Sequence, residues 1–251
     1  MTMAYMWALY AREVKRFQKI WLDTVLSPIA TMALYLAVFG IAMGNRAVAG
    51  GTGYLPFVYS GLLGMIMVNS SFSNPSFALV IAKNVGSMID LQLVPIAPWR
   101  IGVAYALAAV TRGVATVVVA VAATIWFVPG MRIDHPLLML LALCLSGVEF
   151  GLLGVTFGMW AKNFEALTFI TTFVLQPMIF LAGVFYPVST LPAPWNTVSL
   201  FNPLHHTINL FRYALIGYSD VSPMISTAVI VVLTAILFTI MHLSAKRTIR
   251  S

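Results

Sequence analysis

The sequence predicts an all-α integral membrane protein: six transmembrane helices, an N-terminal amphipathic interfacial helix, and a re-entrant helical hairpin between the fifth and sixth spans. Three observations lead there. Hydrophobic residues make up 61% of the 251 positions and charged ones 8%, with a mean hydropathy of +0.95, far from the composition of a soluble domain. The apolar stretches recur at lengths of about 20 residues or more, enough to cross roughly 30 Å of hydrocarbon. One of them, Gly183 to Gly217, is interrupted by Pro187, Pro192 and Pro194. Each proline removes a backbone donor and resists a helix interior, so this stretch cannot cross as one helix. Six spans use about half the chain and leave no room for a soluble catalytic domain, so residues 1–251 read as a single membrane domain.

In residues 1–23, Trp7, Tyr10, Val14, Phe17 and Trp21 share one helical face, and Arg12, Lys15, Arg16 and Lys19 lie away from it. A basic helix with an aromatic stripe is expected to lie in the membrane interface. Residues 24–43 form the first span. Ala47, Val48 and Ala49 imitate a signal-peptidase site, but the preceding apolar segment is too long for a signal sequence, so the span is expected to stay. The second span, 54–82, carries a polar belt of Asn69, Ser70, Ser71, Ser73 and Asn74 followed by Pro75, which predicts a kink and either helix packing or a polar path. Residues 83–100 leave the bilayer, with Val85, Met88, Ile89 and Leu93 on one face of a short helix beside Asp90; an apolar face on a loop calls for a partner.

The third span, 101–128, contains Arg112, and the fourth, 137–161, contains Glu149 and Cys144. Counted from the ends of their spans, Arg112 and Glu149 fall at one depth near the midplane, so a buried ion pair is expected. Cys144 is expected to be a buried thiol; a single cysteine allows no internal disulfide. After a short turn at 161–165, the fifth span, 166–186, is expected to kink at Gln176 and Pro177. Residues 187–217 form the hairpin. There Asn202 reads as an N-cap, Pro203 as the first helical residue and Gly217 as the stop. The helix between them is about 20 Å long, too short to cross. Leu204, Ile208, Phe211 and Leu215 make a narrow apolar stripe, and His205, His206, Asn209, Arg212 and Tyr213 make a polar arc, expected to be a gate or a binding surface. The sixth span is 224–243.

Lysine and arginine set the orientation. The N-terminus, the 83–100 loop, the 161–165 turn and the C-terminus carry Arg12, Lys15, Arg16, Lys19, Lys83, Arg100, Lys162, Lys246, Arg247 and Arg250, against Arg46, Arg132 and Arg212 in the other loops. Both termini are therefore expected in the cytoplasm and the hairpin outside. The same bias accounts for the net charge of +7 without nucleic acid, for which no basic groove can be assembled. No phosphate-binding loop, zinc motif or nucleophile elbow is present in the sequence, and the adjacent His205 and His206 point about 100° apart on a helix, which disfavours a shared metal. Enzymatic activity of the chain by itself is not expected.

The basic N-terminal helix, the loop NVGSMIDLQLVPIAP, the turn AKNF, and above all GVFYPVSTLP followed by FNPLHHTINLFRYALIG resemble the membrane subunit of ABC type-2 exporters over nearly the whole chain. The resemblance implies a homodimer working with two separate ATP-binding subunits, which use ATP and Mg, while this chain holds no cofactor. It implies coupling to the ATPase through Val85, Met88, Ile89, Asp90 and Leu93, although a single Asp90 stands where such loops often carry an acidic pair. It implies an outer gate built from Phe185, Tyr186, Pro187, Pro203, His205, His206 and Arg212, and a path lined by Tyr35, Asn69, Ser70, Phe173, Gln176 and Phe180, in contact with membrane lipid. The function implied is outward movement of an amphipathic or hydrophobic substrate: a lipid-linked glycan, a lipid or a drug. The alternative is a secondary transporter or channel using Arg112 and Glu149 as an ion or proton site; the absence of an internal repeat weighs against it.

Overall fold

Leucine, valine, alanine and phenylalanine runs in this chain build helices rather than strands, and six of those helices, Thr24–Met43, Tyr54–Asn84, Pro98–Phe127, Pro136–Trp160, Phe164–Leu181 and Pro223–Thr248, are long and apolar enough to cross a membrane. The protein is thus an all-helical integral membrane protein. The structure, a computed structural model, describes residues 2–43, 48, 52–93, 96–129, 131 and 133–250. The loop cations Arg46 and Arg132, the Ala47 and Ala49 of the apparent cleavage site, and Pro95 lie outside the described residues, as does the side chain of Arg250.

The elements are α1 (Thr2–Lys19), α2 (Trp21–Met43), α3 (Tyr54–Asn84), α4 (Met88–Leu93), α5 (Pro98–Thr124), α6 (Pro136–Trp160), α7 (Phe164–Ile170), a π turn (Thr171–Leu175), α8 (Gln176–Leu181), α9 (Trp195–Leu200), α10 (Pro203–Ile216) and α11 (Pro223–Arg250). The boundaries follow local chemistry. Pro98 and Pro136 sit in the first turns of α5 and α6, where no donor is needed. The fifth span ends at Leu181, five residues short of the sequence estimate, and Gly183 takes a positive φ of 82°. The expected kink at Gln176 and Pro177 takes the form of the π turn, which widens the helix just before the proline that lacks a donor. The last helix runs beyond residue 243 to Arg250.

The centre of the protein is α3, buried nearly all round, with α5, α6 and α10 packed on it and α2 beside it. Close approach comes from glycine on α6. A Cβ on Gly154 would lie 2.3 Å from the Phe72 carbonyl oxygen, and one on Gly158 would lie 2.9 Å from Ser76 Cα. Gly147 and Gly151 do the same toward Val110, Ala109 and Ala106 of α5. Two Gly-x-x-x-Gly pairs therefore seat α6 against two neighbours at once, where a small surface lets helix backbones approach. At the end of the bundle that carries α4, Lys83 Nζ donates to the carbonyls of Gly158 (3.0 Å), Met159 and Ala161 (2.8 Å), closing the C-terminus of α6.

The packing of α1 adds detail to the sequence reading, and one expectation about burial, that of Cys144, is corrected. On α1 the buried residues are Leu9, Glu13 and Phe17, while Trp7, and Trp21 at the start of α2, are exposed. The helix packs on α5, where Tyr10 donates to Thr111 (2.9 Å) and Arg12 to Tyr105 (3.0 Å), and this contact rather than the aromatic stripe fixes its rotation. Cys144, expected to be buried, is exposed on the outward side of α6.

Candidate functional site

The segment between α8 and α11 contains the densest polar network among the described residues, and it is built around α10. Its ends form as its sequence dictates: Asn202 caps the helix by accepting from Leu204 N (3.0 Å), Pro203 follows, and Gly217 stops it in the left-handed region at φ 66°. The expected division into an apolar stripe and a polar gate face is corrected, because both arcs are buried. His205, His206, Asn209 and Arg212 are as enclosed as Leu204, Ile208 and Phe211, and only Tyr213 on the polar arc is partly open.

Burial of so many polar groups is tolerable because most find partners. Asn209 donates to Val221 O (2.6 Å) and Ser226 Oγ (2.9 Å) and accepts from Asp220 N (2.8 Å). Arg212 donates to Gly183 O (2.7 Å), meets Asp220 at 3.4 Å, and lies 3.7 Å over the ring of Phe57 on α3. Tyr218 donates to Asp220 (3.0 Å). His206 Nε2 lies 2.9 Å from Leu200 O, which can only accept, so that nitrogen carries the proton and Nδ1 accepts from Ser226 (3.2 Å). His205 Nδ1 donates to Ala182 O at 3.2 Å. Burial holds both imidazoles below their usual range, and burial together with the neighbouring Asp220 carboxylate pushes the Tyr218 phenol up to about 12. The network thus ties the post-α8 turn, α9, α10 and the start of α11 to one another and to α3.

Of the other gate residues, Pro187 is buried, and Phe185 and Tyr186 are partly buried. Tyr54 donates to Phe185 O (3.1 Å) and Tyr186 to Phe180 O (2.7 Å). Phe185 is the hub of an aromatic cluster, with ring centres 4.9 Å from Phe39, 5.4 Å from Tyr35 and 6.0 Å from Phe180.

The six path residues fall into two sets. Tyr35, Asn69 and Ser70 come together on a cavity of about 190 Å³ between α2 and α3, with Ser27, Thr31 and Met65. Asn69 gives one amide N–H to Met65 O (3.1 Å) of its own helix, which leaves its second N–H and its carbonyl oxygen for that cavity. Phe173, Gln176 and Phe180 lie on the π turn and α8, away from that cavity. Phe173 stacks on Phe169, 4.8 Å between centres, and only Phe180 is linked to Tyr35, through Phe185. The bundle end bearing α4 shows a divided loop: Val85, Ile89 and Leu93 are exposed at 74%, 59% and 76%, whereas Met88 at 8% and Leu91 at 3% pack inward. Met88 therefore leaves the expected outward face, and Asp90 stays exposed beside the remaining three. Gln92 donates to Thr248 O (3.4 Å) and ties α4 to α11.

The expected pair of Arg112 with Glu149 is not formed. Equal depth is not enough, since α5 and α6 touch through Val110, Ala109 and Ala106 against Gly147 and Gly151. At about 100° per residue, Glu149 lies about 180° round α6 from the middle of Gly147 and Gly151, and Arg112 about 110° round α5 from the middle of Ala106, Ala109 and Val110. Neither Glu149 oxygen nor Arg112 Nε has a hydrogen-bond partner. The residues that sequence reasoning missed are Asp220 and Ser226, which complete the α10 network. Their only signal was a lone acidic residue three positions after the glycine stop.

Comparison with known proteins joins this geometry to a family. The model of the ABC-2 type transporter matches residues 5–216. The chain belongs to the ABC-2 type transporter family. It is similar to the inner membrane transport permease YadH of Escherichia coli, 32% identical over 232 residues, covering 92% of this chain and 90% of that protein. It is also similar to nodulation protein J of Rhizobium meliloti, 28% identical over 217 residues, covering 84% and 80%, and to nodulation protein J of Rhizobium leguminosarum bv. trifolii at 26%. The family match in this ABC-2 chain ends at the C-terminus of α10, so it takes in the polar network's central helix and α4 together.

Proposed function

We propose that this ABC-2 chain is the permease subunit of an ATP-driven exporter, working as a homodimer with two separate ATP-binding subunits that hold the ATP and Mg. The observation that carries the reading is the α4 patch. Three large apolar side chains stand outward, Val85 at the end of α3 and Ile89 and Leu93 on α4, whose other side, Met88 and Leu91, is fastened to the bundle. An exposed apolar patch on a rigid base suits a protein partner, and the family supplies the kind: an ATPase. In this reading α1 is the interfacial connector, both termini are cytoplasmic, and α9–α10 is a re-entrant hairpin on the outer side. The hairpin closes over a path begun by Tyr35, Asn69 and Ser70 and flanked by Phe180 and Phe185. The cargo is amphipathic or hydrophobic.

Co-expression with the cognate ATPase tests it. The expected result is a stable complex that hydrolyses ATP, no hydrolysis by the permease alone, and loss of the complex with Ile89→Asp or Leu93→Asp while the permease still folds. Transport by the permease without an ATPase, driven by a proton gradient, would refute the reading and favour a secondary transporter.

A further inference from the structure

On the side of α6 turned away from α5, a cavity of about 230 Å³ lies between α6, the α7–α8 segment and α11. Leu153, Phe157, Val174, Met178, Leu233 and Leu237 give it an apolar wall, and the one charged side chain on it is Glu149. Glu149 is 1% exposed, and neither of its oxygens has a hydrogen-bond partner. Thr207 of α10 is the polar side chain beside it, but its hydroxyl does not reach bonding geometry. Arg112 does not line this cavity.

We propose that this cavity is a binding site for an apolar molecule carrying one protonated amine, with Glu149 as its counter-ion. The chemistry favours this class over the others. An uncompensated carboxylate in hydrocarbon-like surroundings takes up a proton, so a neutral guest gains nothing from Glu149, whereas an anionic one is repelled by its ionised form. A water would meet only the Glu149 oxygens and the Thr207 hydroxyl and would leave the apolar wall uncovered. A cation on an apolar stem satisfies both parts of the site: the ammonium meets the carboxylate and the stem fills the rest. Size sets a limit on the stem. A cavity of about 150 Å³ takes a benzene, so this one takes a single ring with a short alkyl chain. The proposal concerns binding and does not depend on the exporter reading, which assigns no charge to the cargo.

The test uses the full-length chain in phosphatidylcholine nanodiscs, with 4-phenylbutylamine as the probe and 4-phenylbutan-1-ol as its neutral counterpart. Binding is measured by calorimetry against empty discs. The amine should bind saturably and at least tenfold more tightly than the alcohol. Glu149→Gln, which keeps the shape of the side chain and removes its charge, should abolish that tenfold preference while leaving the alcohol unchanged. Val174→Trp, which fills the cavity, should weaken both probes. Glu149→Asp should keep the preference for the amine, so the charge is tested even if the glutamine variant yields little protein. Equal binding of the amine to the wild type and Glu149→Gln, no preference of the wild type for the amine, or binding untouched by Val174→Trp would overturn the proposal.

Discussion

Replacing Asp220 by alanine is expected to loosen the whole segment between α8 and α11. Arg212 is fully buried and its partner nearly so, with side-chain exposures of 0% and 5%. Removing one member of a buried pair leaves the other charge without compensation and costs about 3–5 kcal/mol. The 3.4 Å separation is longer than the roughly 2.7–2.9 Å of a strong charge-assisted bond, and Arg212 keeps Gly183 O and the face of Phe57, so the lower end of that range applies. Loss of the Tyr218 bond adds about 1 kcal/mol, bringing the total to about 4 kcal/mol. For a chain of this size each kcal/mol moves the melting temperature by about 2–4 °C, so Asp220→Ala should melt roughly 8–16 °C lower. The assay is a thermal scan of purified protein in detergent, read by size-exclusion fluorescence. Arg212→Met should lower it comparably by freeing Gly183 O, and the double variant Arg212→Met with Asp220→Leu should recover part of the loss because no lone charge remains. An Asp220→Ala protein that melts within about 2 °C of the wild type, or a double variant whose loss equals the sum of the singles, would refute the account of this network.

Three further outcomes follow from other parts of the molecule. Gly154→Ala should lower folded yield, because the new Cβ meets the Phe72 backbone oxygen at 2.3 Å and backbone cannot step aside; overpacking of this kind costs about 1–3 kcal/mol, whereas Gly40→Ala, which meets only the side chain of Leu55 at 3.3 Å, should be tolerated. Arg112→Met and Glu149→Met should act independently, with melting shifts that add to within about 0.5 kcal/mol, and recovery in the double variant would mean that the two charges do meet. Single cysteines at Ser189 and Ser219, in a background lacking Cys144, should both react with an impermeant maleimide from outside the cell, and labelling of one from each side would place a further crossing between them.

What the sequence made legible was local. Asn202, Pro203 and Gly217 bound α10 because capping depends on a few neighbouring residues, and the Gln176–Pro177 step disturbed its helix because proline lacks a donor wherever it stands. Rotation was not legible. Periodicity shows that Trp7, Tyr10 and Phe17 share a face, but the face that α1 buries is chosen by Tyr105 and Thr111 on α5, about a hundred residues away. Depth arguments suffered likewise: counted along their spans Arg112 and Glu149 fall at one level, yet the glycines of α6 seat its other side against α5 and leave the two charges unpaired. The Gly147/Gly151 and Gly154/Gly158 spacings were present as a signal, and reading them first would have fixed which side of α6 was occupied and left Glu149 facing elsewhere.

The burial of the α10 polar arc changes what its histidines and arginine can do. A gate face would have to exchange partners with water or cargo as the path opens. Here Asn209 and Arg212 each bond to more than one segment, Asn209 to Val221, Ser226 and Asp220, and Arg212 to Gly183 and Asp220 over Phe57. Moving α10 alone would break the two charge-assisted bonds of Arg212, each worth about 1.5–3 kcal/mol, and the three neutral bonds of Asn209, each worth about 0.5–1.5 kcal/mol, whereas moving the post-α8 turn, α10 and the start of α11 together disrupts chiefly the contacts with α3 and α6. The interior of that body is polar and closed. Its edge is the aromatic cluster of Phe39, Tyr35, Phe180 and Phe185, held by ring contacts and, toward α3, by the single neutral bond from Tyr54 to Phe185 O, and stacking between such rings is worth only about 0.5–1.5 kcal/mol per pair. Separation at that edge therefore costs less than freeing Arg212 and Asn209 together, which assigns the network to rigidity and the aromatic cluster to the part of the segment that can part.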